Sequence, residues 1–327
     1  MNILKNMLLL LVVSIICIAF LEFASRVLKL HGDTDPTYYL SDPVLPFIMK
    51  PNSQSKSIYG KILRINNYGL RGPDIDLSKE INKKRILILG DSVAFGYCVN
   101  YEETFSGILE KQLVSSKKFH GEVINAGHIG FNIRDSANYY KIYGNKFNPD
   151  LVIIAVNGSD NTSQSLDYLI KDGISYSKNS KWIFIPPFIK NILRKSSLYM
   201  TIGLVKARIE YRNVIAQSVN TSTSMIDSVK IDIENLKKHA IEFDTPLWIV
   251  AIPHKNDVMK SGYQENFFYD LQKYSKKLNI PFIDTLQDFK KDQENYCLND
   301  QAHPNKVGHS IIANNLYEKV FNYFVIN

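Results

Sequence analysis

The sequence predicts an α/β protein built on a doubly wound parallel sheet of five strands, and three observations carry that prediction. Five short apolar runs read as strands buried on both faces: 86–89, 122–126, 150–156, 247–252 and 281–284. Helical spacing recurs between and after them, through Phe105, Ile108, Leu109 and Leu113, through Ala137, Tyr140 and Ile142, and over 226–243, 267–278 and 307–321. Strands that alternate with helices form parallel sheets with helices on both faces. Finally, three strands end in Gly90-Asp91-Ser92, Asn125-Ala126-Gly127-His128-Ile129-Gly130 and Asn157-Gly158-Ser159-Asp160-Asn161. Several polar loops therefore meet along one sheet edge, where open α/β sheets keep their ligands.

At 327 residues the chain has material for one large α/β domain with an insertion. Hydrophobic content of 45% and charged content of 22% are those of a folded globular protein, which excludes a disordered or fibrous class. Three cysteines are too few for a disulfide scaffold. No zinc-type spacing or Walker glycine loop appears, so neither a metal nor another cofactor is expected.

In chain order, residues 1–30 come first. Met7 to Leu21 is apolar apart from Ser14, and Ile3, Leu4 and Phe23 extend the run toward the roughly 17–25 residues that span a bilayer. The weak positive lead, Lys5, also suits a cleavable signal peptide, but Phe23-Ala24-Ser25 is a poor cleavage site. An uncleaved signal anchor is the expectation. Arg26 and Lys29 beyond the run oppose the positive-inside rule, so flanking charge leaves orientation open. Residues 31–84 are polar and turn-rich, with Pro36, Pro43, Pro46, Pro51 and Pro73, and read as a lead-in that packs on the main domain, 85–327.

Within that domain, about 161–245 is too long for one crossover and reads as a helical insertion. Its middle, Lys181 to Arg212, holds seven Lys or Arg against Glu210 alone, a local net of +6 in a chain of net +7. Trp182, Ile183, Phe184, Ile185, Phe188, Ile189, Ile192 and Leu193 accompany the charge. Such a segment is either a cap with a solvated basic face or a collar against an anionic membrane or polysaccharide. Nucleic acid is not expected as a partner, because no nucleic-acid-binding motif accompanies the charge.

Ser92 stands at a strand's carboxyl end, where a serine either caps a helix or presents its hydroxyl to a crevice while its N–H helps stabilise an oxyanion. Near the other end, Asp300-Gln301-Ala302-His303 precedes Pro304-Asn305 and a helical pattern. An aspartate three residues before a histidine can accept the imidazole Nδ1–H, leaving Nε2 to take a proton from a serine.

Together these blocks resemble the SGNH, or GDSL, hydrolase superfamily over roughly residues 60–320. The resemblance rests on Gly90-Asp91-Ser92, Asn125-Ala126-Gly127 with Gly130, the strand after Pro149-Asp150, and Asp300-Gln301-Ala302-His303, in the family's order. The run Asn67 to Gly72 looks like the lead-in of membrane-anchored bacterial members. The resemblance implies a flavodoxin-like five-stranded SGNH-hydrolase fold. It also implies Ser92 as nucleophile, His303 as general base and acid, and Asp300 as its orienter. The implied oxyanion hole takes the N–H groups of Ser92 and Gly130. Its third donor is an asparagine in the family; the matching position here is Ser159, and Asn157 and Asn161 stand near enough to substitute.

Cys98 and Cys297 flank the two site loops and either pair or remain free thiols; His128 and His254 follow strands and either touch substrate or are ordinary loop histidines. The expected function is a membrane-anchored, extracytoplasmic serine esterase that removes a small acyl group from a cell-envelope glycan or lipid. An O-acyltransferase with the same three residues and a non-catalytic glycan-binding module are the alternatives. Oligomeric state is not legible.

Overall fold

A computed structural model describes residues 2–28, 30, 39–57, 59–161, 168–171, 174–177, 187–203, 205, 225, 227–259, 267–291, 294–298 and 300–326. Trp182 to Ile185 of the basic insertion, Lys29 and Asn299 lie outside these residues. The chain divides into two units, Met1–Thr34 with Ser180–Thr221, and Asp35–Asn179 with Ser222–Asn327.

The larger unit holds the sheet. Its strands are β1 (Lys84–Gly90), β2 (Gly121–Gly127), β3 (Leu151–Asn157), β4 (Leu247–Ile252) and β5 (Phe282–Asp284). They lie in the order β5-β4-β3-β1-β2, and every neighbouring pair is parallel. This is the doubly wound, flavodoxin-like order, whose strand sequence reverses between β1 and β3.

Period-two alternation explains the two cores. On one face Leu87, Leu89, Ile124, Val152, Ile154 and Ile249 pack with Tyr140, Ile233 and Leu271. On the other, Ile86, Ile88, Val123, Ile153 and Val250 pack with Leu109, Leu113, Ile312 and Leu316. The helices of the first face are Ile133–Ile142, Asp227–Glu242 and Phe267–Lys277; those of the second are Phe105–Ser115 and Lys306–Phe321. The three central strands β1, β3 and β4 are buried almost throughout, as their unbroken apolar runs require, while the edge strand β5 buries only Ile283.

The lead-in folds onto the β2 edge. Strands Ser53–Lys56 and Ile62–Ile65 form an antiparallel hairpin, and Arg71 bridges Ile65 on one side and Asn125 of β2 on the other. Asn66 ties the following turn, its Oδ1 accepting the N–H groups of Tyr68 (2.9 Å) and Leu70 (3.0 Å). The Arg71 side chain is fully buried and donates to the carbonyls of Val99 (2.9 Å), Gly96 (3.3 Å) and Ile62 (3.3 Å).

The smaller unit contains α1 (Asn2–Val27), whose 3–27 stretch is long and apolar enough to cross a membrane. At its last turns Glu22 accepts the N–H groups of Ser197 (2.9 Å) and Leu198 (2.9 Å) and the Ser196 hydroxyl (2.7 Å). Ser25 bonds the hydroxyls of Ser197 (2.8 Å) and Thr201 (2.7 Å). The insertion read as one block in the sequence thus divides, its basic middle grouping with α1 and its flanks with the sheet.

Candidate active site

The topological switch point lies between the carboxyl ends of β1 and β3, and the local sequence builds a short helix there. Gly90 ends β1 with φ 142°; a Cβ at this position would meet Ala155 O and Ala94 Cβ at 2.9 Å. Only glycine suits both the dihedral and the close approach. Asp91 then caps α2 (Ser92–Phe95), its Oδ1 accepting Val93 N–H at 2.8 Å. Gly127 ends β2, where a Cβ would lie 2.8 Å from the Ala94 carbonyl carbon, so α2 sits directly on the strand end. Asn125 secures the contact by donating from Nδ2 to Ala94 O and Ser106 Oγ, both at 2.8 Å.

Ser92 is the first residue of α2 and is partly exposed. Its Oγ lies 2.8 Å from His303 Nε2, and His303 Nδ1 lies 2.8 Å from Asp300 Oδ2. These three residues, separated by as many as 211 positions, therefore form one hydrogen-bonded row. Asp300 Oδ1 also accepts the N–H groups of Ala302 (2.7 Å) and His303 (2.9 Å), which fixes the loop. Asn305 follows as cap of the Lys306–Phe321 helix, accepting from Val307 (2.8 Å) and Gly308 (3.2 Å).

Two features of this loop are not legible in sequence, and a third is left open there. Tyr59, at the hairpin tip, donates its hydroxyl to Asp300 Oδ2, and Ser57 Oγ ties the tip through the N–H groups of Tyr59 (3.3 Å) and Lys61 (3.2 Å). The Tyr59 and Tyr97 rings stand 6.3 Å and 6.0 Å from the imidazole of His303. The disulfide left open above is present: Cys98, beyond α2, is joined to Cys297 with Cα atoms 6.6 Å apart. Burial raises the Asp300 carboxyl, but the hydrogen bond and charge of His303, then Tyr59 and the His303 N–H, outweigh it. The carboxyl is held well below the usual carboxylate range.

The oxyanion side is different. Among the described residues neither Ser92 N–H nor Gly130 N–H has a protein acceptor, and Gly130 takes φ 79°. Asn157 is buried and donates from Nδ2 to Asp91 Oδ2 at 2.9 Å, bridging the ends of β3 and β1. Its Oδ1 accepts Ser159 N–H (3.0 Å), the Ser159 hydroxyl and His254 Nε2–H (3.1 Å). The side chains of Asn157 and Ser159 are thus engaged with each other and with Asp91.

The two remaining histidines are accounted for by packing. His128 is buried, stacked on Phe131 at 4.5 Å and beside Tyr139 at 4.5 Å, with Nδ1–H donating to Ala126 O. Of the two readings left open for it, the structure fits the ordinary histidine: a fully buried ring presents nothing to a crevice. His254 is held against Asn157, and burial, partly offset by Asp257 and Asp91, pushes its imidazole down. Burial and then the charge of Asp91 push the Asp160 carboxyl up. Among the described residues no group of three His, Cys, Asp or Glu stands together as a metal site.

No protein-family model matches the sequence, and no curated protein matches it. Solved structures of similar shape include esterases. TesA is 12% identical, with a TM-score of 0.48 over 74% of this chain and 99% of its own. The acetyl-xylooligosaccharide esterase Axe2 of Geobacillus stearothermophilus is 13% identical, with a TM-score of 0.47 over 74% of this chain and 96% of its own. The psychrotrophic esterase EstA of a Pseudoalteromonas species is 15% identical, with a TM-score of 0.44 over 74% and 98%. The fold assignment rests on the sheet order of this chain itself.

Proposed function

We propose that the chain is an SGNH-type serine esterase that removes a small acyl group from a cell-envelope glycan or lipid, held at the membrane by α1. The observation that carries this is the row Ser92 Oγ–His303 Nε2 and His303 Nδ1–Asp300 Oδ2, both at 2.8 Å, at the switch point of a parallel sheet.

In the proposed reaction Ser92 Oγ attacks the ester carbonyl carbon and passes its proton to His303 Nε2. Asp300 holds the Nδ1–H and stabilises the imidazolium that forms. The oxyanion accepts from Ser92 N–H and Gly130 N–H, with Ser159 or Asn157 as third donor. Collapse expels the alcohol, which takes the proton from Nε2. Water then attacks the acyl-enzyme with His303 as base and returns Ser92. For Ser159 to serve, its hydroxyl must turn away from Asn157 Oδ1.

The Cys98–Cys297 disulfide suits an oxidising compartment, which supports an extracytoplasmic domain. An O-acyltransferase would share every step up to the acyl-enzyme and differ only in the acceptor. The test is p-nitrophenyl acetate turnover by the full chain and its Ser92→Ala variant, with and without a glycan acceptor. The esterase reading expects turnover that falls at least about 10⁴-fold in the variant, with acyl groups going to water. Preferential capture by the glycan would favour the transferase. Turnover equal in the two proteins would remove Ser92 from the role.

A further inference from the structure

The last turns of α1 carry polar residues that all find partners in the insertion. Helical rise of about 1.5 Å per residue places Glu22 roughly 30 Å along the helix from Ile3, about the thickness of a bilayer's hydrocarbon core. If α1 spans the membrane, as proposed above, Glu22, Ser25 and Arg26 emerge at the headgroup boundary.

What they hold must be there too. Glu22 accepts from Ser196, Ser197 and Leu198, Ser25 bonds Ser197 and Thr201, and Arg26 Nη2 donates to Lys195 O at 2.6 Å. Helical turns 197–203 and the preceding helix Pro187–Leu193 are therefore tied within a few residues of that boundary. Yet they expose large apolar side chains: Phe188 is 66% exposed, Ile192 64% and Ile202 60%. Lys190, Arg194 and Lys195 are interleaved in the sequence, and the described stretch 187–203 contains no acidic residue. An exposed apolar set in a stretch whose sequence carries three basic residues and no acid, at membrane level, has the chemistry of an interfacial segment.

We propose that residues 187–203 form an interfacial collar that lies on the anionic lipid surface at the end of α1. Phe188, Ile192 and Ile202 enter the boundary of headgroups and acyl chains, and the exposed Lys195 meets lipid phosphates. The collar would give the membrane helix a second, electrostatic attachment.

The test uses the full chain with Cys17→Ala, reconstituted in nanodiscs of phosphatidylcholine with or without phosphatidylglycerol. Single spin labels are placed at Phe188→Cys, Ile192→Cys and Ile202→Cys, at Leu11→Cys within the apolar run, and at Ile81→Cys, which is 90% exposed in the other unit. Accessibility to oxygen and to a water-soluble nickel complex is read for each. The collar expects oxygen-to-nickel ratios at 188, 192 and 202 several-fold above that at 81, below that at 11, and higher with phosphatidylglycerol. Ratios equal to that at 81, with Leu11 deep in lipid, would overturn the collar while leaving the anchor standing. Lipid contact indifferent to phosphatidylglycerol would overturn the anionic preference. A water-accessible Leu11 would overturn the spanning reading and the collar with it.

Discussion

Tyr59 and Asn157 are two residues whose work follows from a hydrogen bond rather than a motif. Tyr59 donates to the same Asp300 oxygen that holds His303, so it helps keep that carboxylate ionised and aimed. A hydrogen bond to a charged group contributes about 1.5–3 kcal/mol. Tyr59→Phe should therefore lower kcat by about 10- to 150-fold with KM little changed, measured by steady-state turnover. A shift in KM alone would assign Tyr59 to substrate binding instead. On the oxyanion side, the double variant Ser159→Ala with Asn157→Ala should lose about 10²–10³ in kcat, the usual cost of one donor. Ester turnover at the parental rate would show that the N–H groups of Ser92 and Gly130 suffice.

Two elements hold the site in register from outside the sheet. The Cys98–Cys297 disulfide joins the loop after α2 to the loop of Asp300 and His303, across 199 residues of chain. Closing so long a loop stabilises by about 2–5 kcal/mol, so Cys297→Ser should lower the urea unfolding free energy by that amount and depress turnover as the histidine loop loosens. Arg71 satisfies carbonyls around the end of α2; Arg71→Leu should cost about 3 kcal/mol in the same measurement, through buried acceptors left unpaired. The five strands and their helices were legible because buried parallel strands are unbroken apolar runs and their covering helices are amphipathic. Gly90-Asp91-Ser92 and Asp300 to His303 were legible because each is a local pattern. Tyr59 and Arg71 were not, since a hairpin tip meeting a loop 241 positions away leaves no periodic mark. Asn157 was legible only as a candidate, because a sequence does not say which acceptor an amide already serves. The insertion's outer bounds and basic middle were legible, but composition does not say which unit a segment packs with, so its division between the two units was not.

Across the whole molecule, buried neutral histidines set an acid limit. Burial pushes His128 down to about 4 and His309 down to about 3, and Phe105 N–H donates to His309 Nδ1, which protonation would block. In the unfolded chain both titrate near 6.5. Between those values the unfolded state binds more protons, so stability is full above about pH 6.5 and falls as pH drops toward 4. Each group contributes a slope of about 1.4 kcal/mol per pH unit at its steepest. Asp160 works in the opposite sense, because burial and the charge of Asp91 raise its carboxyl in the folded state, which favours stability as pH falls. The guanidinium midpoint should fall from pH 7 to pH 5, and His128→Asn should flatten that fall. An unchanged slope in the variant would show that His128 is not the group responsible.

The central claim is that Ser92 is a nucleophile made reactive by His303 and Asp300. Intact-mass spectrometry of the full chain after exposure to a fluorophosphonate, followed by peptide mapping, tests it most directly. One stoichiometric adduct on Ser92 is expected, absent from Ser92→Ala and formed far more slowly in His303→Ala. An unlabelled parent protein, or an adduct that persists in Ser92→Ala, would contradict it.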